Sequence, residues 1–165
     1  MTVPVTAIGI DPGLASTGFA VIQPLEKRGR VCQWGTITTP PGRSLSERLS
    51  SIYLNLSEIL SHWQPRLMVV EDVYVYKKFP KAAIQLGAVR GVVLLAAALK
   101  QVTVFEIKPT EVKSALTGSG RAGKEQVGTM TRRILNFDDI KISDHVSDAM
   151  ALAVTGLSRS GLFRW

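Results

Sequence analysis

One cysteine, Cys32, stands among 165 residues. No internal disulfide can form, and sites that need several thiolates, zinc or iron–sulfur, are excluded. Alone, Cys32 reads as a small buried apolar residue. Long hydrophobic runs are missing as well. The longest uninterrupted one, Gly91 to Leu99, lies between Arg90 and Lys100, far short of the ~20 residues a membrane span requires. Met1 to Ile10 lacks the basic start and layout of a signal peptide, so no membrane and a reducing, cytoplasmic setting are expected. No internal repeat, low-complexity tract or linker divides the chain, which predicts one domain over residues 1–165. A hydrophobic content of 45% is enough for a full core and rules out disorder.

Acidic residues are scarce in one place. Lys and Arg number 20 against 13 Asp and Glu, a net charge of +7. The excess sits between Lys77 and Arg133, where Glu106, Glu111 and Glu125 alone oppose a long series of cations. A solvated helix face alternates its signs, whereas a one-signed stretch suits a phosphate-facing surface. A polyanionic partner is therefore expected, nucleic acid before membrane.

Hydrophobic periodicity lays out the elements. Apolar Val5–Ile10, ended by "DPG", reads as a buried strand; Thr17–Pro24 and Val31–Thr39 extend it into an antiparallel meander. Leu45, Leu49, Ile52, Leu56, Ile59 and Leu60 recur at helical spacing to about His62, and Ser44 with Glu47 has the spacing of a capping box. Arg66–Val70 and Val102–Ile107 are short strands. Lys81–Lys100 is a helix apolar nearly all round, expected to be buried against the sheet or another subunit. A helix to about Leu135 and a last one from about Ser143 to Ser158 follow. The pattern predicts an α/β fold, a mixed sheet of three meandering strands plus parallel strands, with helices on both faces.

Two of these strands end in acids, Asp11 and Glu71. Ligands of open α/β sheets bind at that edge. Either acid alone has an ordinary explanation as a turn or cap residue. On neighbouring strands, however, their charges repel unless a cation or proton intervenes. On the last helix, Asp144, His145 and Asp148 lie three and four residues apart and share a face. Asp144 also suits a first-turn position. Together these residues supply hard oxygen and imidazole ligands for divalent metals. A pair of such ions is the standard device for in-line attack on a phosphodiester.

The blocks "GIDPGLASTGFAVI", "VVEDVYVYKK", "QLGAVRGVVLLAA", "VFEIKPTEVKSALTGSGRAGKEQV" and "SDHVSDAMALAVTG", in that order, resemble the bacterial RuvC-type Holliday junction resolvases over nearly the whole chain. The resemblance implies a ribonuclease H-like fold and a homodimer. It also implies paired symmetric nicking of four-way DNA junctions during recombination and repair, with Mg²⁺ or Mn²⁺, two ions per site, and ligatable 5′-phosphate ends. A branch-migration motor is the partner it implies. Carried over, Asp11, Glu71 and Asp148 are catalytic metal ligands. Many members have Asp where this chain has His145, with Asp144 beside it, so the fourth ligand is one of these two. Imidazole binds Mn²⁺ more readily than Mg²⁺, and Mn²⁺ is expected to support the higher rate if His145 ligates. Lys113 and Lys124 match basic positions near the scissile phosphate. Tyr74 matches the aromatic that stacks at the exchange point, with Tyr76 next; Lys77, Lys78, Lys81 and Arg121 complete the expected DNA contacts with Lys124.

Three other functions fit parts of the sequence. Another ribonuclease H-like nuclease, acting on RNA or on nicked duplexes, would share the acids. A phosphate-loop ATPase of the actin type would share "GIDPGLASTG" but needs two large lobes. A junction-binding protein without catalysis would use the basic stretch and have no need of strand-end acids.

Overall fold

The computed structural model describes residues 5–72, 80–137 and 141–165. In chain order it contains β1 (Ala7–Asp11), β2 (Ser16–Pro24), β3 (Gly29–Thr38), α1 (Leu45–Trp63), β4 (Leu67–Glu71) and α2 (Pro80–Leu99). These are followed by β5 (Thr103–Ile107), α3 (Pro109–Thr117), α4 (Lys124–Leu135) and α5 (Asp144–Arg159). The five strands form one sheet in the order β3-β2-β1-β4-β5. The meander β1-β2-β3 is antiparallel, and β4 and β5 join it in parallel to β1.

Helices cover both faces, as the alternation of the strands requires. Ala7, Leu67 and Val69 face α3, α4 and α5 through a core that includes Val112, Leu116, Ile134, Met150 and Leu157. Ile8, Ile10, Met68 and Val70 face α1 and α2 through Ile52, Leu56, Leu60, Val89 and Val93. α1 begins at the expected capping box. The Ser44 hydroxyl accepts from the Glu47 N–H at 3.3 Å, and the Glu47 carboxylate accepts from the Ser44 N–H at 2.9 Å. Residues 109–117, which carried no assignment in the sequence, form α3, opened by Pro109 where a missing N–H costs nothing. Cys32 is only half-buried, on the edge strand β3.

The long apolar helix α2 is covered within the domain on one side only, through Val89, Val93, Ala96 and Ala97. Ile84, Leu95 and Leu99 remain 72%, 52% and 60% exposed. Taken whole, α2 is also long and apolar enough to cross a membrane by length and composition, although Arg90 interrupts its apolar run. Here it is an element of the sheet-covered domain, packed on α1 and β5. Its Arg90 pairs with Glu106 on β5 and reaches Asp72, just past β4, at 3.8 Å.

Two glycines set how closely α5 approaches the sheet. A Cβ on Gly9 of β1 would overlap the Ala149 carbonyl, and one on Gly18 of β2 would overlap the backbone of His145. Their bare backbones let the helix rest directly on the strands, and Gly18 is the register partner of Asp11.

Candidate active site

β1 and β4 run side by side in parallel, with Ile10 opposite Val70. The next residue of each strand is acidic, so Asp11 and Glu71 stand together at the same sheet edge. The first turn of α5 lies above them. Its N-cap, Ser143, accepts from the Val146 N–H at 3.3 Å, which fixes the helix start and presents His145 and Asp148 to the strand ends.

His145 Nδ1 is 2.6 Å from Asp11 Oδ2, and the Asp11 side chain is only 13% exposed. Lys124, the first residue of α4, places Nζ 3.1 Å from Asp148 Oδ2 and 3.2 Å from Asp144 Oδ2. Asp144 points outward, with 82% of its side chain exposed. The structure thus distinguishes the two neighbours: His145 faces Asp11, while Asp144 faces Lys124.

Electrostatics tie the group together. Burial pushes the Asp11 carboxyl above its usual range. The His145 hydrogen bond and charge pull the other way, Asp148 adds to the rise, and Lys124 offsets it. Glu71 is raised as well, first by burial and then by the charges of Asp11 and Asp148, with Lys124 and Lys113 opposing. Burial would lower the Lys124 ammonium, but hydrogen bonds and charge from Asp148, then Asp144, hold it above its usual range. Two half-buried carboxyls, Asp11 and Glu71, each raised further by the charge of Asp148, make a place for added positive charge.

The donor set fits a divalent cation: carboxylate oxygens from Asp11, Glu71 and Asp148 plus one imidazole. As placed, no three His, Cys, Asp or Glu side chains among the described residues stand close enough to hold one ion. Asp11 is engaged by His145 and Asp148 by Lys124.

Of the other expected residues, Lys113 lies on α3, near enough for its charge to act on Glu71. Arg121 is exposed and lines an open groove of about 570 Å³ between α3 and α4, together with Thr117, Ser119, Gln126 and Met130. Lys81 is exposed in the first turn of α2. Tyr74, Tyr76, Lys77 and Lys78 lie outside the described residues. Arg90 bridges to Asp72 and Glu106, contacts that no motif marks; the signal is a cation in the middle of an otherwise apolar stretch.

Comparison with known proteins matches residues 7–156 to the family model of the crossover junction endodeoxyribonuclease RuvC. A curated protein of that name from Carboxydothermus hydrogenoformans is 42% identical over 154 residues, 93% of this chain and 96% of the relative. Among solved structures, the Thermus thermophilus RuvC superposes with a TM-score of 0.87 at 32% identity, covering 96% of this chain and 98% of that one. The same protein in complex with a Holliday junction substrate gives 0.84 at 30% identity, covering 96% and 97%.

Proposed function

This chain belongs to the RuvC family of crossover junction endodeoxyribonucleases, and on that premise we propose that it resolves Holliday junctions by metal-dependent nicking of DNA. The fold is ribonuclease H-like. The observation that carries the catalytic reading is the meeting of Asp11, Glu71, His145 and Asp148 at one sheet edge, where burial above all raises the Asp11 and Glu71 carboxyls.

Asp11, Glu71, Asp148 and His145 would hold Mg²⁺ or Mn²⁺, two ions per site. Bound there, the ions supply a nucleophilic water and charge neutralisation at the leaving oxygen. The chain's own residues do the rest. Asp11, half-enclosed by the strand end and by His145, keeps a fixed negative position at the floor of the site. Lys113 and Lys124 hold the scissile phosphate and stabilise its developing charge. The α3–α4 groove with Arg121 receives the DNA backbone. Tyr74 and Tyr76 stack at the exchange point, each contact worth about 1–3 kcal/mol, and Lys77, Lys78 and Lys81 extend the phosphate path.

Two cuts in two symmetry-related strands call for two sites, hence a homodimer. The exposed side of α2 is the surface for it. Ile84, Leu95 and Leu99 line one stripe, and Gly87 and Gly91 open onto free space where a side chain would meet nothing. Glycine costs a helix about 1 kcal/mol relative to alanine, and a partner helix packed close against the backbone offsets that cost. A branch-migration motor acting on the same junction is the further partner, the products carry 5′-phosphates, and the enzyme works in the cytoplasm.

The test is cleavage of a labelled mobile four-way junction in Mn²⁺ and in Mg²⁺, beside linear duplex and an RNA–DNA hybrid. Paired nicks confined to the junction are expected, with Asp11→Asn abolishing cleavage while keeping junction binding. Cleavage surviving in Asp11→Asn removes Asp11 from the centre, and cutting of the hybrid instead assigns the enzyme to RNA-directed chemistry.

A further inference from the structure

Lys124 stands on the same carboxylate that the metal reading needs. Its ammonium is 3.1 Å from Asp148 and 3.2 Å from Asp144, and its charge also reaches Asp11 and Glu71. The two aspartates are one helical turn apart on α5, so a cation between them can lean to either without a backbone shift. Among the described residues, Lys124 is the sole ion-pair partner of Asp144. An ammonium and a divalent ion on one carboxylate repel at close range, so occupancy by one opposes occupancy by the other.

Resting on the metal reading above, we propose that Lys124 is a tethered counter-cation that fills the Asp148 side of the centre in the metal-free protein, and that Asp144 takes it over when a divalent ion arrives. This accounts for two observations together. The carboxylates gather at one edge yet form no ready cage, because Asp148 is turned to Lys124. Asp144, too exposed and too far outward to face Asp11, has a role as the resting place of a displaced lysine. Metal entry thereby moves the ammonium from Asp148 to Asp144, at the outer edge of the centre.

The proposal is tested by Mn²⁺ binding to the full-length protein without DNA, read from the loss of the free-ion electron paramagnetic resonance signal. Lys124→Gln is expected to tighten Mn²⁺ binding about three- to fivefold, the scale of an exposed ion pair. Lys113→Gln, which removes an equal charge from a lysine not paired with Asp148, is expected to change it by less than about twofold. Asp144→Asn is expected to weaken binding in the wild-type background and to have no effect once Lys124 is Gln, a coupling that a double-mutant cycle isolates. Equal effects of the two lysine variants, or an Asp144→Asn effect that persists without Lys124, would show a through-space charge effect and overturn the proposal. Wild-type protein that binds no Mn²⁺ overturns the metal reading and this proposal with it. Wild-type binding that Asp11→Asn abolishes, with no tightening in Lys124→Gln, overturns the proposal alone.

Discussion

Asp11 and Glu71 hold their negative charge against their surroundings, because burial raises both carboxyls. A raised carboxyl binds its proton more tightly in the folded than in the unfolded state. Its contribution therefore favours folding at low pH and is lost as pH rises through the folded value. Glu71, whose ordinary value is 4.5, shows the sign most simply. Metal-free Glu71→Gln should melt above wild type at about pH 8, with the difference closing near about pH 4, as followed by calorimetry. Saturating Mn²⁺ should reverse the order, since it stabilises only the chain that binds it. His145 yields a second expectation: Mn²⁺ should support faster junction cleavage than Mg²⁺, and His145→Asp should shift the preference toward Mg²⁺, measured as the ratio of the two rates. Both strand-end acids were legible in the sequence, because an ionised residue after an uncharged strand stands out. Their adjacency was not, since periodicity shows that a strand is buried and not which strand lies beside it. The different surroundings of Asp144 and His145 were likewise out of reach of spacing, because both fit the same helix face; in the fold His145 meets Asp11 and Asp144 meets Lys124.

Elements position these side chains through their seating on one another. α5 rests on bare backbone at Gly9 and Gly18, and the second of these lies beside Asp11 in register. Gly18→Ala should push the His145 turn outward, cost about 1–3 kcal/mol in chemical denaturation, and reduce cleavage far more than junction binding. On the opposite face, Leu95→Glu places a charge in the exposed stripe of α2 and should yield a monomer by sedimentation with little change in melting temperature. Most elements were legible. The strands show near-continuous apolar runs, α1 carries its capping box, and α4 and α5 have clear apolar faces. α2 was legible as a helix but its faces were not. Apolar residues all round do not show which side the domain covers, and here Ile84, Leu95 and Leu99 are left exposed. α3 escaped because its nine residues span too few turns to establish a period.

At the scale of the molecule, the described part of the basic stretch, residues 80–133, forms α2, β5, α3 and most of α4. The expected signature is a steep fall of junction affinity with salt, and Arg121→Ala should reduce the slope of log K against log salt by about 1 while weakening all junction sequences alike. Whole-chain charge and the five-strand layout were visible before any coordinates; the convergence of distant segments on one sheet edge was not, because it depends on strand order. Arg90 fastens α2 to Asp72 and Glu106 at the ends of β4 and β5, and Asp72 adjoins Glu71 in the chain. α2, whose outer side is exposed, is thus tied on its inner side to the residue that follows Glu71. In the dimer proposed on α2, that tie would carry a roll of one protomer against the other toward Glu71 in both. Such a lever would synchronise the two scissions, so that a junction is opened in two strands within one encounter instead of being left half cut.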